Sequence, residues 1–500
     1  MNEPYRVAAG SSRRRSALAG AVLAAIVLLP GGAIAQQGGA TATYTLRILR
    51  TDPPRIGVHA VLPSVGAEIT MARSRPGDVP EVADAGWPAL VRGLVVKDPD
   101  GLAVGVTSAG AAGWRLARPV DGSLTLDYEV DTAPLAARGW PAPREAAFAD
   151  SEHIVMIGRS LFIATPAQRS SEIHFELPPG WRAVVPWSVT RAEGRSASAS
   201  SSDDLSENLV AFSRGEPEVM TAGGFNLKVV TFGYWRPARN EIRRVLGIAL
   251  EQLVGLIGFE GDADYLVVLL PQLDRGADSF RASFALTLDQ TPSSANLGSW
   301  GNLIAHEVFH YWNGWRLHGS DYQGSQWFQE GITEYAANLA MIKGGVDRPD
   351  EFYARIAAHV DNYRKLETPL DAPGTRKGPP LYSGGALVAF IWDTMILESS
   401  GGGLGVGDAL RALLRDTEGG ARPYAWPDIK AALERVAPGD WEGFHGRHIH
   451  GTDPLPVGEA LARVGLLLVK QDDGSTRVDE DPAASGPAAA LRRSLMTRRK

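Results

Sequence analysis

Two histidines four residues apart with a glutamate beside the first, His306-Glu307-Val308-Phe309-His310, restrict this 500-residue chain more than any other feature in it. Histidines at that spacing share one face of an α-helix, and Asn302 to Trp312 holds no proline to interrupt one. Two imidazoles one turn apart can converge on zinc, which takes nitrogen or oxygen donors at about 2 Å and, in a hydrolytic site, keeps one position open for water. Glu307 is rotated about 100° from His306. Its carboxylate therefore falls beside the open position, where a general base belongs, and not on the metal. The pattern predicts a helix carrying His306 and His310 as metal ligands and Glu307 as a catalytic base.

The third protein ligand decides what kind of zinc site this is. A metzincin would have glycine three residues after His310 and histidine six after it, but Asn313 and Arg316 stand there, which excludes that class. In gluzincins the third ligand is a glutamate on a following helix. Trp327-Phe328-Gln329-Glu330-Gly331-Ile332-Thr333-Glu334-Tyr335 offers Glu330 as that ligand. Glu334 lies one turn further on the same face, either as the acceptor for the outer N–H of a zinc-bound histidine or as a solvated helix charge.

Elsewhere the apolar pattern changes period along the chain. From about Thr41 to Trp187 it is strand-like: Leu124, Leu126, Tyr128 and Val130 alternate with polar residues, as do Ile173, Phe175 and Leu177. This region reads as a β-sandwich-like domain. Arg195 to Asp204, rich in Ser and Ala, reads as a flexible loop, and Phe225, Leu227 and Val229 mark another strand. Ile242, Val245, Leu246, Ala249, Leu250, Leu253, Val254 and Ile257 then follow at helical spacing, and Tyr265 to Leu270 reads as a buried strand before helices take over. The switch near Trp235 sets the expected boundary between a β-rich N-terminal domain, 36–235, and a mainly helical catalytic domain, 236–470. Residues 471–500, rich in Asp, Ser, Pro and Ala, are expected to form a disordered tail. The fold class is α+β, multidomain.

Residues 1–35 have the layout of a secretory signal: Arg13-Arg14-Arg15, an apolar run from Ala17 to Leu29, and Ala33-Ile34-Ala35 before Gln36. Cleavage after Ala35 is expected, giving an exported protein, periplasmic or secreted, with no stable membrane anchor. The alternative is an uncleaved anchor, although 13 apolar residues fall short of the roughly 20 that span a bilayer. The chain has no cysteine, so disulfides and thiolate zinc sites are excluded. Loss of residues 1–35 removes four arginines and one glutamate, moving the net charge from −7 to −10. A nucleic-acid partner is not expected on that balance.

The site residues resemble those of the glycyl aminopeptidase family of gluzincins, distant relatives of aminopeptidase N. Three segments carry the likeness: His306 to Asn313, Trp327 to Thr333, and Tyr382-Ser383-Gly384-Gly385-Ala386-Leu387-Val388 with Asp393 beyond it. Trp441-Glu442-Gly443-Phe444 and Gly451 with Leu455-Pro456 also look like that family's C-terminal segment. The likeness runs from about Arg236 to Leu466 and implies a thermolysin-like catalytic domain. It further implies that Tyr382, in the place of the tyrosine of a Tyr-x-Lys-Gly motif, donates a hydrogen bond to the tetrahedral oxyanion. The family lysine is Gly384 here. Where the family carries Gly-Gly-Leu-Glu-His, whose glutamate holds the substrate's free amine, this chain has Gly276-Ala277-Asp278-Ser279-Phe280. Ser279 then replaces the glutamate, and amine recognition falls to Asp278 or is absent. The PDZ domain that often follows in this family is not expected, since about 35 residues remain after Gly465.

The resemblance thus implies zinc-dependent hydrolysis of peptide bonds by a metal-activated water, with peptides or proteins as substrates and one zinc ion per chain. An aminopeptidase-like activity is the first expectation. An endopeptidase of the same fold and a catalytically silent zinc-stabilised binding protein are the alternatives. His445, His448 and His450 read as surface polar residues in preference to a second metal site, and His318 as a loop histidine bonded to backbone. Trp312, Trp315 and Trp327 suit cleft walls and core packing equally. Oligomeric state is not legible in the chain.

Overall fold

Alternating apolar residues build the first half of the chain. In Gly122–Asp131 the side chains of Leu124, Leu126, Tyr128 and Val130 are all buried, and Ile173 and Phe175 do the same in Ser170–Glu176. These strands join Thr41–Arg50, Arg55–Ser64, Val91–Lys97 and Ser196–Ala199 in a six-stranded sheet, antiparallel except where Thr41–Arg50 runs parallel to Ser170–Glu176. A second, antiparallel sheet of Ala147–Ala149, His153–Ile157, Arg182–Val184 and Leu209–Ser213 contributes to the same core. The protein is described by a computed structural model over residues 40–72, 85–136, 147–188, 195–259, 261–270, 276–288, 293, 296–373 and 378–497. The expected signal sequence lies outside the described residues.

A five-stranded sheet follows, in the spatial order Glu218–Ala222, Phe225–Thr231, Ala263–Leu269, Ser283–Thr287, Gly276–Ser279. Its three inner strands are parallel, and α1 (Arg239–Ile257) makes the crossover between the first two of them. Both faces are buried, which is why Tyr265–Leu269 reads as an unbroken apolar run. Phe225, Leu227, Val229, Tyr265, Val267 and Phe284 face the helices. Val230, Leu266, Val268 and Ala285 face the N-terminal strands.

This sheet corrects the expected boundary at 235/236. Two strands that precede it in sequence pair with three that follow it, and residues Gly39–Lys500 form one compact unit. The change of period near Trp235 marks a strand giving way to its crossover helix, which is an event inside one layer and not a junction between domains. The fold is mixed α/β, with several sheets and many helices.

Two further expectations are corrected. Arg195 to Asp204 is not a loop: Ser196–Ala199 pairs with Ser170–Glu176, and Ser201 then caps the short helix Ser202–Ser206 by accepting from Asp204 N at 2.9 Å. Small residues suit a strand whose Ala197 and Ala199 are buried against larger neighbours. Nor is 471–500 disordered through its described part. Leu466–Lys470 and Thr476–Glu480 form an antiparallel hairpin, and Gly486–Met496 is a helix capped by Ser485. Val478 and Leu495 are buried, while Arg492 pairs with Glu480 at 2.7 Å and donates to Gly465 O. Composition weighed the polar majority, but two well-separated apolar anchors suffice to dock the segment.

The remaining framework is helical: α2 (Leu297–Phe309), α3 (Gln326–Lys343), α4 (Pro349–Tyr363) and α5 (Pro379–Ser399). Helix α5 is long and apolar enough to cross a bilayer, but 83% of its most apolar stretch is buried inside the protein, as in a core helix.

Candidate metal centre

Helix α2 ends at Phe309, and His310 is its C-cap, with backbone angles still helical (φ −59, ψ −20). The one-turn spacing survives, so the two imidazole rings lie 4.8 Å apart between centroids. Helix α3 brings Glu330 against them: its Oε2 lies 3.5 Å from His306 Nε2 and 3.4 Å from His310 Nε2. Ligands about 2.05 Å from a tetrahedral ion are about 3.3 Å from one another, so these separations fit zinc. All three residues are buried, and among the described residues they form the group of potential ligands able to share a metal. Two imidazole nitrogens and one carboxylate oxygen are also the donor set of a hydrolytic zinc site with an open position.

Each histidine is held from behind. His306 Nδ1 lies 3.0 Å from Glu334 Oε2, and Glu334 Oε1 accepts from Asn302 Nδ2 at 3.1 Å. Glu334 is therefore a ligand-orienting residue and not a solvated helix charge. His310 Nδ1 lies 3.0 Å from the carbonyl oxygen of Asn313. The Asn313 side chain in turn donates to Phe328 O, Gln329 O and Thr333 Oγ1, tying the turn after α2 to α3. Such partners leave Nε2 of each ring as the metal-facing nitrogen. Burial lowers the His306 pKa, but the Glu330 and Glu334 carboxylates outweigh it and raise the metal-free value to about 10. Burial similarly opposes ionisation of Glu334, yet His306 holds its pKa down to about 2.

Glu307 and Tyr382 are the partly exposed members of the site. The Glu307 carbonyl accepts from Tyr265 OH at 3.2 Å, and its carboxylate Oε2 accepts from Ser279 Oγ. Tyr382 stacks near His306, with ring centroids 6.0 Å apart and planes at 19°. Burial first, and then the Glu330 and Glu307 carboxylates, push its pKa upward, so the phenol stays neutral and able to donate.

Glycine explains how α5 delivers Tyr382. Gly331 on α3 and Gly385 on α5 meet backbone to backbone, and a Cβ on either would collide with the other helix. That crossing puts Tyr382, just under a turn before Gly385, beside Glu330, the neighbour of Gly331. At Gly384, the place of the family lysine, an added Cβ would lie 2.6 Å from Leu370 and 2.9 Å from Tyr363. Packing fills that place here.

The strand Gly276–Ser279 is the sheet edge bordering Glu307. Ser279 is paired with Phe284 and Asp278 with Ala285. Phe284 belongs to the helix-facing core and Ala285 to the opposite one. Alternation therefore places Ser279 on the face of the metal centre and Asp278 on the opposite face of the strand.

Other residues singled out in the sequence lie elsewhere. Trp312 and Trp327 are core residues, 0% and 3% exposed, so packing accounts for them. His445 stacks on Trp426 at 4.0 Å, His450 Nδ1 lies 3.0 Å from Asp371 Oδ2, and His448 contacts the Asp453 carbonyl. His318 Nδ1 is shielded from water with no hydrogen-bond partner among the described residues.

Residues 300–370 match the M61 glycyl aminopeptidase family, and this segment holds His306, Glu307, His310, Glu330 and Glu334. None of the curated proteins compared matches the chain. Among solved structures, an aminopeptidase N family protein from Idiomarina loihiensis superposes with a TM-score of 0.68, at 19% identity over 87% of this chain and 80% of that one. An M1 zinc metallopeptidase from Deinococcus radiodurans does so at 0.53, with 15% identity over 83% of this chain and 95% of that one. These likenesses concern the fold, whereas the family match falls on the site itself. Together with the site geometry they define the class: a zinc-dependent metallopeptidase. Within that class, the family resembled is the M61 glycyl aminopeptidases.

Proposed function

We propose that this chain is an exported peptidase in which His306, His310 and Glu330 hold one zinc ion, Glu307 is the general base and Tyr382 the oxyanion donor. In this reading the strand-rich N-terminal part is a β-sandwich-like domain and the helical part a thermolysin-like catalytic domain. The observation that carries it is the convergence of three buried donors, Glu330 lying 3.5 and 3.4 Å from the two histidine nitrogens, with the partly exposed Glu307 and the neutral phenol of Tyr382 beside them.

Zinc held there by His306, His310 and Glu330 would supply Lewis acidity to the attacking water. Glu307 takes the proton of that water as it attacks the scissile carbonyl and later delivers it to the leaving amine. Tyr382 donates to the carbonyl oxygen, a hydrogen bond that strengthens as negative charge develops there. Gly276–Ser279 is the outermost strand of the five-stranded sheet among the described residues, the place where an extended peptide could be added as a further strand.

Two observations favour cleavage without an obligatory free N-terminus: the Ser279 hydroxyl is engaged by Glu307, and Asp278 points to the other face. A peptide and its N-acetylated copy test this. Loss of a charged anchor of about 3 kcal/mol costs about 100-fold, so an obligate aminopeptidase loses at least that on acetylation. Comparable kcat/KM for the two peptides is expected here. Glu307→Gln tests turnover itself and is expected to lower kcat by about 10²- to 10⁴-fold with zinc content unchanged. If wild type and variant both bind zinc and neither cleaves a broad peptide library, the protein is a silent binding protein.

A further inference from the structure

The general base is held at both ends of the residue. Tyr265 OH donates to the Glu307 carbonyl, and Ser279 Oγ donates to Glu307 Oε2. Ser279 is the last residue of the edge strand, and the hairpin it enters is fastened from the far side. Phe280 is buried, Arg281 N donates to Glu207 O at 2.9 Å, and Ala282 N donates to Asn208 Oδ1 at 2.7 Å. The hydroxyl therefore projects from a fixed point. A glutamate side chain has three rotatable bonds, and its carboxylate must present one oxygen to the attacking water while the water is held elsewhere.

We propose that Ser279 is a positioning residue for peptide hydrolysis: its hydroxyl occupies Oε2 of Glu307 and leaves Oε1 aimed at the water. The inference rests on Glu307 being the base, as proposed above. It assigns a role to the position where the glycyl aminopeptidases carry their amine-binding glutamate. The Ser279 hydroxyl meets the Glu307 carboxylate as a hydrogen-bond donor. In this chain the edge strand thus serves the base, and does so at the expense of gripping a substrate amine.

The test uses the zinc-loaded full chain and one internally quenched peptide, with Ser279→Ala, Ser279→Thr and Glu307→Gln. Loss of the hydroxyl in Ser279→Ala is expected to lower kcat by about 10- to 100-fold, because a base misplaced by a fraction of an ångström loses alignment with its proton. KM is expected to stay within about twofold, and Ser279→Thr to recover kcat to within about threefold, the signature of an interaction used in the transition state only. Zinc content and thermal midpoint identify a misfolded variant, and Ser279→Thr, which keeps the hydroxyl on a β-compatible side chain, then carries the test. Wild-type kcat in Ser279→Ala alongside an inactive Glu307→Gln overturns the role of Ser279 and leaves Glu307 as the base. A Ser279→Thr as slow as Ser279→Ala overturns it too, since the hydroxyl would then not be what counts. Wild-type kcat in Glu307→Gln overturns the underlying reading and this inference with it.

Discussion

The two walls of the metal centre are built differently. On the helical wall each histidine has a partner behind it, and the partners are themselves tied down: His306 by Glu334, Glu334 by Asn302, His310 by the Asn313 carbonyl, and α3 against α5 by the contact of Gly331 with Gly385. The strand wall is the four-residue strand Gly276–Ser279, paired with Ser283–Thr287, that reaches the centre through the Ser279 contact with Glu307. Such a division separates what the chemistry demands from what the substrate demands. Ligand geometry tolerates little displacement, so it is over-determined by packing and hydrogen bonds. Recognition by an edge strand can change with a single residue, because one step along the strand moves a side chain to the other face.

After loss of the base itself in Glu307→Gln, the largest expected effect comes from disabling the helical wall where it meets developing charge. Tyr382→Phe removes the phenol and keeps its ring, and is expected to lower kcat by about 10²- to 10³-fold with little change in KM. Steady-state kinetics checks it, and an unaltered kcat would mean that Tyr382 only packs. A smaller effect is expected one step behind the ligands. Glu334→Gln weakens the partner of His306 Nδ1 and is expected to reduce zinc affinity by about 10- to 100-fold, read by competition with a chelator.

The same pair gives the metal-free protein a pH signature. The His306 pKa rises from the ordinary 6.5 to about 10, so its contribution to stability is complete below 6.5 and is lost as pH rises through 10. The Glu334 pKa falls from 4.5 to about 2, so its contribution is complete above 4.5 and is lost as pH falls through 2. Chelated protein should therefore show the full contribution between pH 4.5 and 6.5 and a decline of thermal midpoint toward pH 10. Zinc displaces the His306 proton, so the zinc-loaded protein should lack that alkaline decline. The smallest effect belongs to the strand wall's far face. Asp278→Asn is expected to leave the cleavage ratio of free to acetylated peptide within about twofold of wild type, since alternation turns this side chain away from the centre.

The grouping of His306, His310 and Glu330 was legible because it obeys local geometry. Histidines four apart need only a helix, and Glu330 needs only a second helix with its neighbours Trp327 and Gly331. Their supports were legible only in part: Glu334 was one of two readings, while the Asn302 contact with Glu334 and the Ser279 contact with Glu307 join residues far apart in sequence. Nothing in the spacing of Asn302 and Glu334 says that two helices bring them to 3.1 Å, and nothing near Ser279 announces Glu307. The Gly331 and Gly385 pair had a signal, two glycines inside apolar helices, whose meaning appears only when the helices cross. Strand alternation did reveal the buried faces at Leu124 and Phe225. It could not reveal that the sheet containing Phe225 runs through the expected boundary at 235, because period marks an element and not its partners. The segment 471–500 misled for the opposite reason: its order depends on Val478 and Leu495, two side chains in a polar stretch.

Anomalous diffraction at the zinc edge tests the central claim most directly. The account predicts one ion per chain, about 2.0–2.2 Å from His306 Nε2, His310 Nε2 and a Glu330 carboxylate oxygen, with an open position toward Glu307 and Tyr382. An ion bound elsewhere, or one ligated by Glu307 in place of Glu330, would contradict it.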